Sequence, residues 1–301
     1  MANTVAAPVA NNIGLAQKFL PILDDVYKAE SKTAILDTAS DRVEWIGAQT
    51  VKVYKTSLTG LAPYSRNAGY VPGSVTGTWE TLTVEQDRAR SFLIDALDDE
   101  QAVSMPLMST LAEFERTMVI PELDAYRFAK ISAAATGTNV VSAALTTGAA
   151  DAIQSAIAVL DDKEVPEEGR ILFISPAVYS VLKKDITRFT ENGDPDVNGS
   201  VLMYDDMRVI KVPAARFNTA VTLNSATAAS DAGGFTATGD AINFMIVHPS
   251  AVIQIEQHYA PRLFSPQQVY TADGWIYNFR IAHDVFVLDN KVNGVFVHKS
   301  A

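Results

Sequence analysis

Cysteine is absent from the 301 residues. Disulfides, thiolate metal sites and cysteine nucleophiles are thereby excluded. No apolar run approaches the roughly 20 residues a helix needs to cross a bilayer, so the sequence implies no membrane partner. The opening stretch MANTVAAPVANN carries neither a basic segment nor a long apolar core, and does not read as a secretory signal. Histidine is scarce. His248, His258, His283 and His298 are the full set, and none pairs at the H-x-x-x-H spacing of a zinc helix. They read as structural or surface residues. Basic charge is also short: 24 Lys and Arg stand against 35 Asp and Glu, a net charge of −11. Nucleic-acid surfaces cluster Lys and Arg to neutralise phosphates, and here they are scattered. A container that must not hold on to DNA fits this balance, as does any ordinary acidic protein.

Catalytic signatures are missing as well. There is no G-x-S-x-G elbow, no phosphate-binding Walker loop and no G-x-G-x-x-G fingerprint. Acid pairs occur at Asp24-Asp25, Asp161-Asp162, Glu167-Glu168 and Asp205-Asp206. Neighbours in sequence are usually solvated, whereas a catalytic pair needs convergence in space. No catalytic residue and no cofactor is expected, and the chain does not read as an enzyme. One stretch has the spacing of a metal motif. Asp194, Asp196, Asn198 and Gly199 occupy positions 1, 3, 5 and 6 of a calcium loop, with Val201 at 8 and Asp205 at 12. Against it stand Pro195 at position 2, Asp in place of the usual Glu at 12, and a strand-like MRVIKV where a helix should leave the loop. A surface turn has the same Asp/Asn/Gly/Pro composition. The motif and the acidic balance keep open an acidic calcium-stabilised surface or adhesion protein, and the many carboxylates a hydrolase with an unrecognised carboxylate pair.

What the chain does have is core material: 48% hydrophobic residues, enough for one large domain or two ordinary ones. Leu15, Phe19, Ile22, Leu23 and Val26 suggest an amphipathic helix interrupted near Pro21. Residues 50–58 and 82–96 alternate as strands, and the Gly/Pro/Ser/Thr-rich stretch between them reads as the tip of a projecting hairpin. The stretch 98–135 gives the clearest helix, with Leu107, Leu111, Phe114 and Met118 as one stripe and a kink or break expected at Pro121. If unbroken it would exceed ~40 Å. A loop over 136–152 leads to a helix from Ala150 to Leu160. RILFIS is a strand and PAVYSVLKKD a short helix, with MRVIKVP and NFMIVH as further strands. Residues 225–240 read as low-complexity loop, and AVIQIEQHY, GWIYNFRIAHDVFVL and GVFVHK as late strands. Helices and strands mix without regular βαβ alternation, so the class is α+β.

Several segments carry a family likeness: DRARSFLIDALDDEQA (87–102), VIPELDAYRFAKIS (119–132), NGSVLMYDDMRVIKVP (198–213), HPSAVIQIEQH (248–258) and AHDVFVLDNKVNGVFVHK (282–299). With the element order, they make the chain resemble the major capsid (coat) proteins of tailed bacteriophages, of the Hong Kong 97-type fold. The resemblance runs from about residue 80 to the end. It implies an N-terminal arm over 1–48 and an extended hairpin, the E-loop, over 49–95 lying on an adjacent subunit. It implies a peripheral P-domain with a spine helix over 96–145, an axial A-domain over 146–248, long P-domain strands over 249–285, and a strand over 286–301 returning to the A-domain sheet. The implied function is self-assembly, through pentamers and hexamers, into an icosahedral or prolate shell around a double-stranded DNA genome. The implied location is the virion, after synthesis in the host bacterial cytoplasm. A separate scaffolding protein, a portal and decoration proteins are the implied partners, because the chain has no room for a built-in scaffolding segment. Lys52 and Lys55 do not match the pattern of subunit cross-links in some members, and none is expected.

Overall fold

The strand Gly274–Val287 organises one half of the molecule. Its alternation is strict where it matters: Tyr277, Phe279, Ile281, His283 and Val285 are buried on one face, while Asn278 and Arg280 face the other way. The computed structural model describes residues 31–37, 50–67, 69–95, 113–189, 201–226, 233–268 and 274–301. Within it the strands are β1 (Thr50–Leu58), β2 (Val75–Thr83), β3 (Gln86–Asp95), β4 (Val140–Ser142), β5 (Ile171–Ile174), β6 (Met203–Tyr204), β7 (Met207–Lys211), β8 (Val221–Leu223), β9 (Phe235–Ala237), β10 (Ile242–Val247), β11 (Val252–Tyr259), β12 (Arg262–Phe264), β13 (Gly274–Val287) and β14 (Val295–Lys299). The α-helices are α1 (Ile120–Ala134), α2 (Ala149–Asp161) and α3 (Pro176–Phe189). The class is α+β.

Two sheets dominate. In the first, β13 pairs antiparallel with β3 along one edge and with β11 and β12 along the other. The second is six-stranded, in the order β4-β14-β10-β5-β7-β6. Its central strands are buried on both faces, which is why ILFI and INFMIV read as apolar runs without polar alternation. Leu172, Ile174, Phe244, Ile246 and Phe296 meet α2 and α3. Ile171, Phe173, Met245, Val247, Val295 and Val297 form the other core with Phe128 and Ile131 of α1. The same helix sends Ile120 and Leu123 against Tyr277, Phe279 and Ile281 of the first sheet. It is wedged between the two sheets and has little free face.

Four expectations change. The hairpin exists, but its return strand is β2, with Thr50 opposite Thr83 and Leu58 opposite Val75. Residues 86–95, expected to close it, instead pair with β13 from Gln86↔His283 to Asp95↔Gly274. Alternation marks a strand but not its partner. Secondly, Pro121 does not break the helix. A π-helical turn, Glu115–Val119, lies directly before it, and the backbone stays helical through Val119 and Ile120. A wider turn suits a residue that cannot donate a backbone hydrogen bond and whose ring crowds the preceding turn. Thirdly, Met118 does not join an inward stripe; it is 56% exposed, while Leu107 and Leu111 lie outside the described residues. Lastly, the loops expected over 136–152 and 225–240 contain the short strands β4 and β9. The helix expected over residues 15–26 is also outside the described residues.

Candidate functional site

Among the described residues, neither the histidines nor the acid pairs converge in one place. Among the described residues no three His, Asp or Glu side chains group as a metal site. His248 accepts a bond from the Ser250 amide at Nδ1 (3.2 Å), which leaves Nε2 to donate to the Glu168 carbonyl. It caps a turn. His298 lies 3.0 Å from the Asn243 amide nitrogen and stacks on Phe244. His283 is buried against the edge of Tyr126. Burial first, then the cations Arg127 and Arg88, hold its pKa down at about 3. The side chain of His258 is outside the described set. Of the calcium-loop candidates, Asp194, Asp196 and Asn198 are outside the described residues too. Asp205 is described and lies in a tight turn. With Asp206 it forms the two-residue turn between β6 and β7, at φ +49° and +57°. Two left-handed residues are what a hairpin of matching twist demands, and Asp tolerates that conformation better than most.

Two other regions stand out. The first is the hairpin. One face of its root joins a small core: Val51, Leu82 and Val84 are buried with Ile253 and Ile255 of β11, backed by Val53 and Phe286. Lys55, on the same face, pairs with Asp289 and Glu80. Beyond that point no described residue of its own chain covers it. The opposite face carries the paired residues Tyr54↔Trp79 and Leu58↔Val75. The two rings lie 4.9 Å apart, and both are more than half exposed. Gly77 is bare because the Tyr54 ring crosses it; a Cβ there would collide with the Tyr54 hydroxyl. Leu61, Tyr64, Tyr70 and Val71 continue the apolar surface around the tip. Among the described residues, eight of the thirteen exposed large apolar side chains fall between Tyr54 and Trp79. An apolar surface concentrated in this way marks an interaction site. The hairpin also carries Lys52, Lys55 and Arg66 against Glu80 alone, and so is basic within a chain of net charge −11.

The second region is the polar side of the long helix. Six of its residues make polar contacts with distant parts of the chain. Glu115 accepts from the hydroxyls of Tyr259 and Tyr277 at 2.9 and 3.2 Å. Glu122 holds Arg88 of β3 at 2.8 Å. Asp124, fully buried, accepts from the Ser31 and Thr33 hydroxyls, the Lys32 and Thr33 amides and Arg216. Tyr126 donates to Asp284 of β13 at 3.0 Å; burial, then Asp284, pushes its pKa up to about 12. Arg127, also fully buried, donates to Thr33 and to Glu256 of β11 at 3.0 and 2.6 Å. Lys130 stands 3.4 Å from Glu85. This network fixes the segment 31–37, the first sheet and the helix in one register. Sequence reasoning missed it. The available signal was the density of charge in PELDAYRFAK on a helix with no polar face to spare.

No protein-family model and no curated protein matches the sequence. Solved structures do. The fold is similar to that of a structure from Mycobacterium phage Che8, with TM-score 0.62 and 16% identity over 87% of this chain and 89% of that one. It is similar to the mature capsid of bacteriophage PhiM1, with TM-score 0.63 and 16% identity over 84% and 82% of the two chains. It is also similar to a virus-like particle from Pyrococcus furiosus, with TM-score 0.58 and 11% identity over 94% and 99%. At such identities the likeness is one of fold: the chain has a phage-capsid-like fold.

Proposed function

We propose that this chain is the major capsid protein of a tailed phage, a shell-building subunit with no catalytic role. The observation that carries the reading is the hairpin. Its root is tied to its own body, while its aromatic face and tip have no cover from the described residues of its own chain. A two-stranded ribbon is marginal in water unless it packs on something. Repeated by symmetry, even modest contacts of this kind close a shell. In this reading residues 49–95 are the E-loop that lies on an adjacent subunit, and 1–48 the N-terminal arm. Residues 96–145 form the P-domain with its spine helix, 146–248 the A-domain, 249–285 the long P-domain strands, and 286–301 the strand returning to the A-domain sheet. Pentamers and hexamers form the icosahedral or prolate shell around double-stranded DNA, with separate scaffolding, portal and decoration proteins as partners. The subunit is made in the host cytoplasm and resides in the virion.

Alignment coverage also favours a second reading. The chain aligns over 94% of its length with the subunit of the Pyrococcus furiosus virus-like particle, so a shell with a cargo other than a phage genome fits the same fold. The test is assembly of the purified full chain, with and without co-expressed proteins from neighbouring genes. Sedimentation and negative-stain microscopy should give closed shells or capsomer rings above a threshold concentration. A monomer under every salt and concentration tried would overturn the proposal. Nuclease-protected DNA in particles from infected cells would separate the phage shell from its alternative.

A further inference from the structure

A cavity of about 240 Å³ opens between the stretch 114–123 of the long helix, the helix-side face of β3 and β13, and the loop residues 224–226 and 233–234. Phe114, Met118, Leu123, Phe279 and Ile281 give it apolar walls. Polar groups, Glu122 among them, interrupt them. Arg88 bridges the structure: Nε donates to Glu122 at 2.8 Å, Nη1 to the Asn224 carbonyl at 2.8 Å and Nη2 to the Gly234 carbonyl at 3.3 Å. It clips the loop to the sheet and helix. Arg90, two residues along the same face, is exposed and has no ion-pair or hydrogen-bond partner among the described residues. Its guanidinium lies at the loop edge, where a Cβ on Gly233 would come within 3.4 Å of Nη1. Gly233 itself sits at φ +82°, which favours glycine. His283 completes the lining, nearly fully buried, with Nδ1 unpartnered among the described residues.

We infer that this cavity binds a small monocarboxylate with an apolar body, of the size of a single aromatic ring or a short acyl chain. Volume sets the size. A cavity of about 150 Å³ accepts benzene, and sites for drug-sized ligands begin near ~300 Å³. Charge sets the head group. Among the described lining residues, two guanidiniums and one carboxylate leave one positive charge, which a monoanion balances, whereas a dianion would face Glu122. Arg88 is already engaged on three sides, so the free fork of Arg90 takes the carboxylate, a geometry guanidinium favours. Because helix, sheet and loop all line the cavity, occupancy ties the three together. Binding here is independent of whether the chain assembles.

Calorimetric titration of the full chain with 3-phenylpropionate, and in parallel with the neutral 3-phenylpropionamide, tests it. The acid should bind saturably at one per chain and at least about tenfold more tightly than the amide, the scale of one charge-assisted contact. Arg90→Gln should bring the acid down to the amide's affinity and leave the amide unchanged. Met118→Trp, at an exposed position, should fill the cavity and abolish both. The Met118 methyl resonance of the wild type should shift on addition of the acid, a readout independent of whether the tryptophan variant folds. Absence of saturable binding by the wild type would overturn the inference. So would equal affinity for acid and amide, an unmoved Met118 methyl, or full binding by Arg90→Gln.

Discussion

The helix hub and the hairpin invert the usual rule of polar outside, apolar inside. Asp124 and Arg127 are charged and fully buried; Tyr54, Leu58, Val75 and Trp79 are apolar and exposed. The two regions answer to different demands. Buried charges are tolerated only when paired and fully hydrogen-bonded, so they fix one arrangement of the elements they join. Exposed apolar side chains gain little within their own subunit, and their burial waits for another surface. One region settles the subunit's internal geometry and the other leaves a contact open.

Breaking the hub should show the largest effect on subunit stability. Arg127→Met removes the partner of Glu256 and Thr33 and disturbs the Asp124 cluster. Loss of its charged hydrogen bonds, to Thr33 and to the exposed carboxylate of Glu256, costs about 3 kcal/mol. Denaturant unfolding of the assembly-incompetent subunit measures it, and a midpoint within error of wild type would refute the hub. The second test uses pH. His283 has a folded pKa near 3, depressed from 6.5 by burial and by Arg127 and Arg88. A lowered histidine pKa means that the folded state resists the proton. Stability is therefore full above about pH 6.5 and declines as pH falls towards 3, by up to about 1.4 kcal/mol per unit at this residue. His283→Gln should flatten that part of the melting profile relative to wild type; parallel profiles would remove His283 as the cause.

The hairpin should behave in the opposite way. Tyr54→Ser with Trp79→Ser gives up one cross-strand pair, about 0.2–1 kcal/mol of subunit stability. Particle yield in sedimentation should nevertheless collapse. Normal particles would erase the contrast between the regions, and a collapsed subunit melt would place the aromatic face on its own body. The smallest effect belongs to a neutral control, the β6–β7 turn. Asp205→Asn with Asp206→Gly installs the preferred pair for two left-handed residues and should raise stability by about 0.5 kcal/mol without affecting assembly. A lower melting temperature would mean the two carboxylates make contacts that matter.

Most local elements are legible in the residues alone. Apolar runs such as ILFI and INFMIV announce strands buried on both sides, and Ala149–Asp161 and Pro176–Phe189 declare themselves by helical spacing. The lack of cysteine closes off a whole class of chemistry by composition. The pairings are another matter. Residues 86–95 carry the alternation of a strand, but nothing local says that their partner is β13, some 190 residues away, and not β1. Only the packed molecule turns the charged residues of α1 from a solvated face into a buried network, because two sheets enclose that helix. The packed molecule also places Asp205 in a tight turn. Periodicity reports which face of an element is apolar, since that depends on neighbours a few bonds away. What the face meets depends on chain segments brought together only by folding, and that information is not local.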